Sequence, residues 1–374
     1  MNIAILTLPL HVNYGGILQC YALQTVLNRM GHKVQVLTKP VYKRSYYWIY
    51  PLAVCKRLLK RYLLGRKITI WKTSHELIRQ HTDRFIRKYI HQYIRRNWTA
   101  KTVQRFDAVV VGSDQIWRAE YCRYFTPLED TFLNFTQGCS IKRIAYAASF
   151  GMDRCFYSPE QMVKCALLLQ QFDAVSVREF SGINICRQYL GVEACQMIDP
   201  TLLLQAGDYI QLIHQAETKP WGGDLLAYIL DETKEKEKVI ESVATSGRFK
   251  PFWVNSKAEE MEVPLEERIK IPVEQWLRGF QEAKMVVTDS FHGCVFSIIF
   301  KKNFIVIGNT ERGMARFISL LQLLGLENRL IHSWEEYQKC KEELLKPIDY
   351  LPVDSKIQMC REKSIVFLRQ ALNE

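Results

Sequence analysis

Several patterns that would define a class of protein are absent from this 374-residue sequence. Its eleven cysteines are odd in number and scattered, and none forms a C-x-x-C pair. Zinc sites and disulfide frameworks depend on such pairing, so we expect reduced cysteines and no bound metal. The sequence also lacks any Asp-x-Asp pair, which argues against a metal ion that clamps a diphosphate.

Long hydrophobic runs are absent as well. No uninterrupted apolar run approaches the ~20 residues that a membrane-spanning helix needs. Met1-Asn2 leads directly into an apolar strand, without the basic stretch and small-residue cleavage site of a signal peptide. We therefore expect a cytoplasmic protein.

One segment has almost no acidic residues. Residues 42–98 hold 15 Lys and Arg but only Glu76 and Asp83, a formal charge of +13, whereas the whole chain carries +12. Part of it, SYYWIYPLAVCKRLLKRYLL (residues 45–64), joins aromatic residues to basic pairs at helical spacing. That combination favours the surface of an acidic membrane, here the inner face of the plasma membrane. The alternative is a helix packed on its own domain with a solvated basic face.

Nucleic acid is not an expected partner, because no helix-turn-helix, RNA-binding or zinc-finger pattern accompanies this charge. A dinucleotide cofactor is not expected either. The first strand-to-helix turn lacks G-x-G-x-x-G, and the second strand ends in Lys39-Pro40 rather than in an acidic residue.

Strands and helices alternate along the chain, which predicts an α/β fold. Continuous apolar runs such as DAVVVGS, KMVVTDS and NFIVIGN are typical of strands buried on both faces of a parallel sheet. The predicted strands are 2–8, 33–37, 107–112, 143–148, 173–177, 225–230, 252–255, 268–271, 285–288 and 304–308. We predict two doubly wound, Rossmann-like domains facing a cleft. They are residues 1–185, with the basic insertion at 42–98, and residues 186–350; a helix at 351–374 could cross back to the first domain.

Polar residues and glycines follow several of these strands, at the ends where parallel sheets bind ligands. In the first turn, two adjacent glycines would let a ligand approach the backbone closely. The residues concerned include His11, Asn13, Tyr14, Gly15, Gly16, Ser113, Asp114, Gln115, Arg178, Ser290, Phe291, His292, Gly293, Asn309 and Arg312. Asp114 and Ser290 could equally cap the helices that follow them, and Asp199, which precedes a proline, is expected to be structural.

Six segments follow one another along the chain: LTLPLHVNYGGILQCYALQTVLNRMGHKVQVL, FDAVVVGSDQIWR, IAYAASFG, AVSVREFSG, IDPTLLL and VVTDSFHGCVFSIIF. Together they resemble the polysaccharide pyruvyl transferase family, and the basic insertion is the least similar part. The resemblance implies two domains of the GT-B type. It also implies a metal-independent transferase, without a cofactor, that moves pyruvate from the co-substrate phosphoenolpyruvate onto sugar hydroxyls of a surface polysaccharide or its lipid-linked precursor.

The resemblance also implies residue roles. His292 and Arg178 would act on phosphoenolpyruvate, and we expect Ser290, Phe291, Gly293, Asn309 and Arg312 to bind this donor beside them. Many family members carry an arginine two residues before the histidine, where this chain has Ser290; Arg312, Arg316 or backbone N–H groups could substitute. The first domain would receive the acceptor, through His11, Asn13, Tyr14, Gly15, Gly16, Ser113, Asp114 and Gln115.

The resemblance favours a 4,6-ketal on a hexose such as galactose, as in bacterial capsule repeats, and the basic insertion favours an acceptor linked to polyprenyl diphosphate. Two other functions stay open at this point. One is a GT-B glycosyltransferase that uses a nucleotide sugar, and the other is a non-catalytic scaffold on the membrane surface.

Overall fold

The computed structural model describes residues 1–40, 55, 59, 74–123, 125–258, 262–309 and 313–373. Nearly all of the aromatic and basic stretch 45–64 therefore lies outside the described residues, as does Arg312. Within the described ranges, no helix has the length and apolar character to cross a membrane.

In the part of the chain that the structure describes, the first sheet has seven strands, and two apolar strands lie at its centre. Its strands are β1 (Asn2–Leu6), β2 (Lys33–Thr38), β3 (Gln92–Ile94), β4 (Ala108–Val111), β5 (Lys142–Ala148), β6 (Ala174–Val177) and β7 (Cys195–Gln196). They pair in parallel in the order β3-β2-β1-β4-β5-β6-β7. β1 lies beside β4 with Leu6 opposite Val111, and both strands are buried on both faces, which is why their sequences are continuous apolar runs.

The second sheet is smaller and repeats the plan. Its strands are β8 (Leu225–Tyr228), β9 (Pro251–Trp253), β10 (Met285–Thr288), β11 (Asn303–Ile307) and β12 (Leu330–Ile331). They are parallel in the order β12-β11-β10-β8-β9. β10 is central and fully buried, as are the last four residues of β1 in the first sheet.

The helices alternate with the strands, as a parallel sheet requires. Those that follow strands of the first sheet are α1 (Tyr14–Arg29), α2 (Ser74–Tyr89), α3 (Ala100–Val103), α4 (Ala119–Cys122), α5 (Leu128–Thr131), α6 (Pro159–Leu169) and α7 (Phe180–Leu190). The later ones are α8 (Ala206–His214), α9 (Lys234–Gly247), α10 (Leu265–Arg268), α11 (Val273–Glu282), α12 (Phe291–Ile299), α13 (Ala315–Leu324), α14 (Trp334–Leu345) and α15 (Tyr350–Leu372).

The two halves share one hydrophobic cluster, which runs from β1 and α1 through α8 to α11 and α12. Between them lies a short 3₁₀ turn, Pro200–Leu203, against which α1 packs. The last helix, α15, lies against the first sheet, where Lys142 Nζ donates to the Ala371 carbonyl over 3.2 Å and Tyr146 meets Phe367. The shared cluster and the Pro200–Leu203 turn thus join the two halves.

The predicted α/β fold with parallel sheets is confirmed, and several details differ from it. The short strands β3, β7 and β12 are not among the predicted ones. Residues 268–271 do not form a strand: Arg268 is the last residue of α10, and the next three residues lead to Pro272, which cannot donate to a sheet. The first sheet also extends past the expected boundary at residue 185, because β7 pairs with β6.

Candidate active site

The strand order reverses once in each sheet. In the first sheet this point lies between β1 and β4, and in the second it lies between β8 and β10. Ligands of open α/β sheets bind outside the carboxyl ends of the strands at such points. The residues that follow β1, β4 and β10 meet there around one carboxylate, that of Asp199.

Asp199 is the centre of the cluster. It is buried at the start of the Pro200–Leu203 turn. Its Oδ1 accepts from the N–H of Thr201 over 3.0 Å and from its hydroxyl over 2.6 Å. Its Oδ2 accepts from Arg178 Nη1 over 2.5 Å and from Ser113 Oγ over 3.2 Å, and it lies 3.7 Å from His292 Nε2.

These neighbours decide the charge of Asp199. Burial alone would raise its pKa, since a charged group loses its hydration. His292 and Arg178 outweigh burial and hold the pKa of Asp199 well below its usual range. A carboxylate at this point keeps the Arg178 guanidinium in place and can offset positive charge on the His292 ring.

Arg178 and Arg316 are two buried cations beside one aromatic ring. The Cζ of Arg178 lies 4.5 Å from the centroid of the Phe291 ring, and the Cζ of Arg316 lies 5.2 Å from it. Both guanidinium groups also face Asp114 Oδ1, at 3.5 Å and 4.0 Å respectively. Among the described residues, Nε and Nη2 of Arg178 find no hydrogen-bond partner.

Asp114 reaches both arginines through an unusual backbone conformation. Its φ is +64°, in the left-handed region that aspartate and asparagine tolerate better than most residues. Its carbonyl accepts from the N–H groups of Ile116 and Ser149, and its Oδ2 lies 3.5 Å from Asn13 Nδ2. The turn after β4 is therefore tied to the turns after β5 and β1.

The glycine pair after β1 provides space for His292. A Cβ placed on Gly15 would lie 1.9 Å from His292 Nδ1 and 2.2 Å from its Cγ, so only glycine fits against this ring. A Cβ on Gly16 would meet nothing closer than 3.3 Å. Asn13 caps α1 by accepting from the Gly16 N–H over 3.1 Å. The first turn is thus shaped to the imidazole of the other domain.

His292 itself stands in the first turn of α12. Ser290 caps this helix, since its Oγ accepts from the Gly293 N–H over 3.3 Å. Gly293 is required by packing, because a Cβ there would lie 2.2 Å from Thr288 Oγ1. His292 is buried, and its Nε2 has no hydrogen-bond partner among the residues that the structure describes.

Glu179 organises the turn after β5. Its Oε1 accepts from Ser149 Oγ over 3.0 Å and from the N–H groups of Phe150 and Gly151 over 2.7 and 3.1 Å. Gly151 packs against the Gln115 amide, and its carbonyl lies 1.8 Å from where a Cβ on Gly313 would be. Gln115 therefore helps to shape this loop, and it accepts from Arg118 Nη1 over 3.0 Å.

Most of the expected site residues fall into two groups. His292, Arg178, Phe291, Ser113, Asp114, Asn13 and Gly15 come together around Asp199, and Ser290, Gly293, Gly16 and Gln115 shape the turns that hold them.

Three other expected residues have different neighbours. Tyr14 packs between the domains, stacked 5.2 Å from the Trp276 ring, and donates to the Ile271 carbonyl. His11 is exposed, with its Nδ1 accepting from the Val12 N–H, and Asn309 donates to Asp231 over 2.5 Å.

Two residues have more central positions than the sequence suggested. Asp199 was expected to be structural, and its IDPT context gives only the signal of a capped turn. Arg316 was one of several alternatives for a second cation, and no local pattern distinguishes it. The neighbours of Asp199 and of Arg316 come from several elements that are separate in the sequence. In the described part of the chain, no cluster of three His, Cys, Asp or Glu residues could hold a metal ion.

The chain belongs to the polysaccharide pyruvyl transferase family. The family model matches residues 13–311, which include the turns after β1, β4, β5, β6 and β10 that build the cluster. No curated protein sequence matches the chain.

Solved structures of GT-B proteins share the fold. A UDP-GlcNAc 2-epimerase from Neisseria meningitidis, bound to UDP-GlcNAc, aligns with a TM-score of 0.52 at 9% identity, covering 100% of this chain and 99% of that one. A protein from Listeria monocytogenes assigned as a UDP-N-acetylglucosamine 2-epimerase gives 0.51 at 10% identity, covering 98% and 95%. At such identities the likeness defines the GT-B fold alone.

Proposed function

We propose that this transferase uses phosphoenolpyruvate as its donor and forms a pyruvate ketal on a sugar. The observation that carries the proposal is the cluster around Asp199, which joins a histidine to two buried guanidinium groups between the domains. Phosphoenolpyruvate bears a carboxylate and a phosphate, and arginine forks match both groups. Its reaction needs one proton donor, and histidine can serve as one near neutral pH.

A single acid–base group can account for the proton transfers that ketal formation requires. A proton added to the methylene carbon C3 makes C2 electrophilic, a sugar hydroxyl attacks C2, and the bond from C2 to the phosphate oxygen breaks. A second hydroxyl then closes the ketal ring. One proton enters at C3 and two leave the hydroxyl groups, so one remains with the departing phosphate. His292 would give the first proton and take one back.

The acceptor would enter from the first domain. Asn13, Ser113 and Asp114 line that side of the cluster, and their amide, hydroxyl and carboxylate groups suit sugar hydroxyls. A 4,6-ketal on a hexose such as galactose is the product that we propose. The basic segment 42–98 would hold the enzyme at the inner face of an acidic membrane, where an acceptor linked to polyprenyl diphosphate resides.

The test is ligand binding followed by turnover. We expect phosphoenolpyruvate to stabilise the wild type by about 2.7 kcal/mol at a concentration 100 times its Kd. Arg178→Lys should weaken this stabilisation, since lysine lacks the planar fork. His292→Ala should lower the release of phosphate in the presence of methyl β-galactoside by about 10²–10⁴-fold. Thermal shift measures the stabilisation, and a phosphate assay measures the release of phosphate.

Arg187→Ala is the matched control, because Arg187 lies on the surface with Glu193 and should change neither readout. Stabilisation by UDP-sugars without any by phosphoenolpyruvate, with or without the galactoside, would contradict the proposal and favour a glycosyltransferase. Full turnover by His292→Ala would contradict the role of the histidine.

A further inference from the structure

We infer that Arg316, together with Arg178, forms a phosphate subsite beside the Phe291 ring. The inference rests on the proposed donor, and it identifies the second cation that the Ser290 position does not supply. Arg316 lies in the first turn of α13, whereas Arg178 follows β6 and His292 lies in α12.

The geometry brings two guanidinium groups to one place. Both lie within 5.2 Å of the Phe291 ring centroid, and both face the same Asp114 oxygen. Arg178 uses Nη1 for Asp199, which leaves its Nε and Nη2 edge without a hydrogen-bond partner among the described residues. That edge is the fork with which arginine binds an oxyanion. Arg178 is 5% exposed, so this edge is shielded from bulk solvent.

Charge also favours a ligand at this point. Burial, and after it the neighbouring Arg178, lower the pKa of Arg316 to about 10. Two like charges at this separation repel each other. Asp114 Oδ1 lies 3.5 Å from Arg178 and 4.0 Å from Arg316, so both guanidinium groups face the same carboxylate. An anion placed between the guanidinium groups would relieve this repulsion.

A phosphate suits the subsite better than a carboxylate. A carboxylate has one charge and two oxygens, which a single arginine satisfies. A phosphate ester can carry two charges and three terminal oxygens, and so calls for a second cation. The N-terminus of α12, which begins at Phe291, adds a favourable dipole at the same place.

Calorimetry with inorganic phosphate as the probe tests the inference on the full chain. Arg316→Gln should raise the Kd for phosphate at least about tenfold, as expected when a charge-assisted hydrogen bond is lost. Arg316→Lys should give a smaller loss, because it keeps the charge without the fork. Pyruvate, which has the carboxylate alone, should bind wild type and Arg316→Gln equally. Circular dichroism checks that each variant is folded, and Arg187→Gln is the surface control.

Asp114→Asn gives a prediction of opposite sign. Asparagine tolerates the left-handed backbone of this position and removes the charge that competes with the ligand. We therefore expect phosphate to bind several-fold more tightly to Asp114→Asn than to the wild type. A purely structural ion-pair network would not produce this gain.

The outcomes separate this inference from the proposed function. Equal phosphate affinity in folded wild type and Arg316→Gln would overturn the subsite, and so would a loss of pyruvate binding alone. Phosphate binding that depends on Arg316, in an enzyme that phosphoenolpyruvate does not stabilise, would support the subsite and overturn the donor.

Discussion

The two turns that meet at the site have the same local structure but make different kinds of contact. After β1 the chain reads Asn13-Tyr14-Gly15-Gly16, and after β10 it reads Ser290-Phe291-His292-Gly293. Each begins with a cap that accepts from the N–H three residues later, and each continues with an aromatic residue. The third positions face each other across the domain boundary, glycine on one side and histidine on the other.

The difference between the turns lies in what their aromatic residues contact. Tyr14 stacks on Trp276 and donates to the Ile271 carbonyl, so the first turn joins the domains through apolar packing. Phe291 lies beside Arg178 and Arg316, so the second turn holds charge. The first turn thus depends on shape, and the second depends on electrostatics. Substitutions can separate these two dependences.

The largest effect on folding free energy is expected for Asp199, the carboxylate that pairs with Arg178 beside the second turn. Asp199→Asn removes the closer of the two carboxylates that pair with the buried Arg178. Breaking a buried ion pair in this way typically costs about 3–5 kcal/mol of folding free energy. The folded-state pKa of Asp199 is lowered, so its contribution is full above the ordinary value of about 3.9 and declines as pH falls below it. The gap between wild type and variant should therefore be wide at pH 7 and narrower at pH 3.5, measured by urea unfolding.

Asp354→Asn serves as the comparison for that experiment, since Asp354 pairs with Lys301 at the surface and should contribute little. An equally small cost for Asp199→Asn would show that the charges at the second turn are independent of each other.

The next effect tests shape at the first turn. Gly15→Ala must displace the His292 ring, and a displacement of about 1 Å can lower turnover by about 10²-fold. Gly16→Ala is the matched control, because its Cβ would come no closer than 3.3 Å to Asn13 Nδ2, which a shift of a few tenths of an ångström relieves, and we expect a change of a few-fold at most. Steady-state assays of both variants would give the ratio. Equal activities would mean that the ring has another position in the working enzyme.

The smallest effect compares the two caps. Ser290→Ala and Asn13→Ala each remove one side chain that accepts a helix N–H, and each should lower stability by about 1 kcal/mol. Chemical denaturation measures both. A much larger cost for Ser290→Ala would indicate that its hydroxyl has a role beyond the cap, and would break the symmetry of the two turns.

The sequence predicted what local patterns specify. Continuous apolar runs defined the central strands, and glycines and polar residues at their ends pointed to the turns that build the site. His292 and Arg178 were singled out in this way, since Arg178 directly follows β6 and His292 lies four residues after the end of β10. The parallel sheets explain why these residues lie close together, since they bring successive strand ends to one edge.

Asp199 and Arg316 could not be ranked from the sequence for a physical reason. Asp199 gains its partners from β4, β6 and α12, which are far from it along the chain. Arg316 starts a helix, where an arginine is ordinary, and acquires its role only because α13 packs beside Phe291. The strand expected at 268–271 failed for a similar reason, because Ile271 packs against the hydrophobic cluster shared by the two halves and its carbonyl accepts from Tyr14 rather than from a strand.

The contact between Gly15 and His292 also constrains how relatives of this chain can diverge. The two positions are 277 residues apart in the sequence, yet the His292 ring occupies the space that a side chain at position 15 would need. A larger residue at position 15 could be inherited only together with a smaller one at position 292, and the second change removes the imidazole. We expect the pair to vary together across homologous sequences, with loss of glycine at the first site marking lineages that have given up this chemistry.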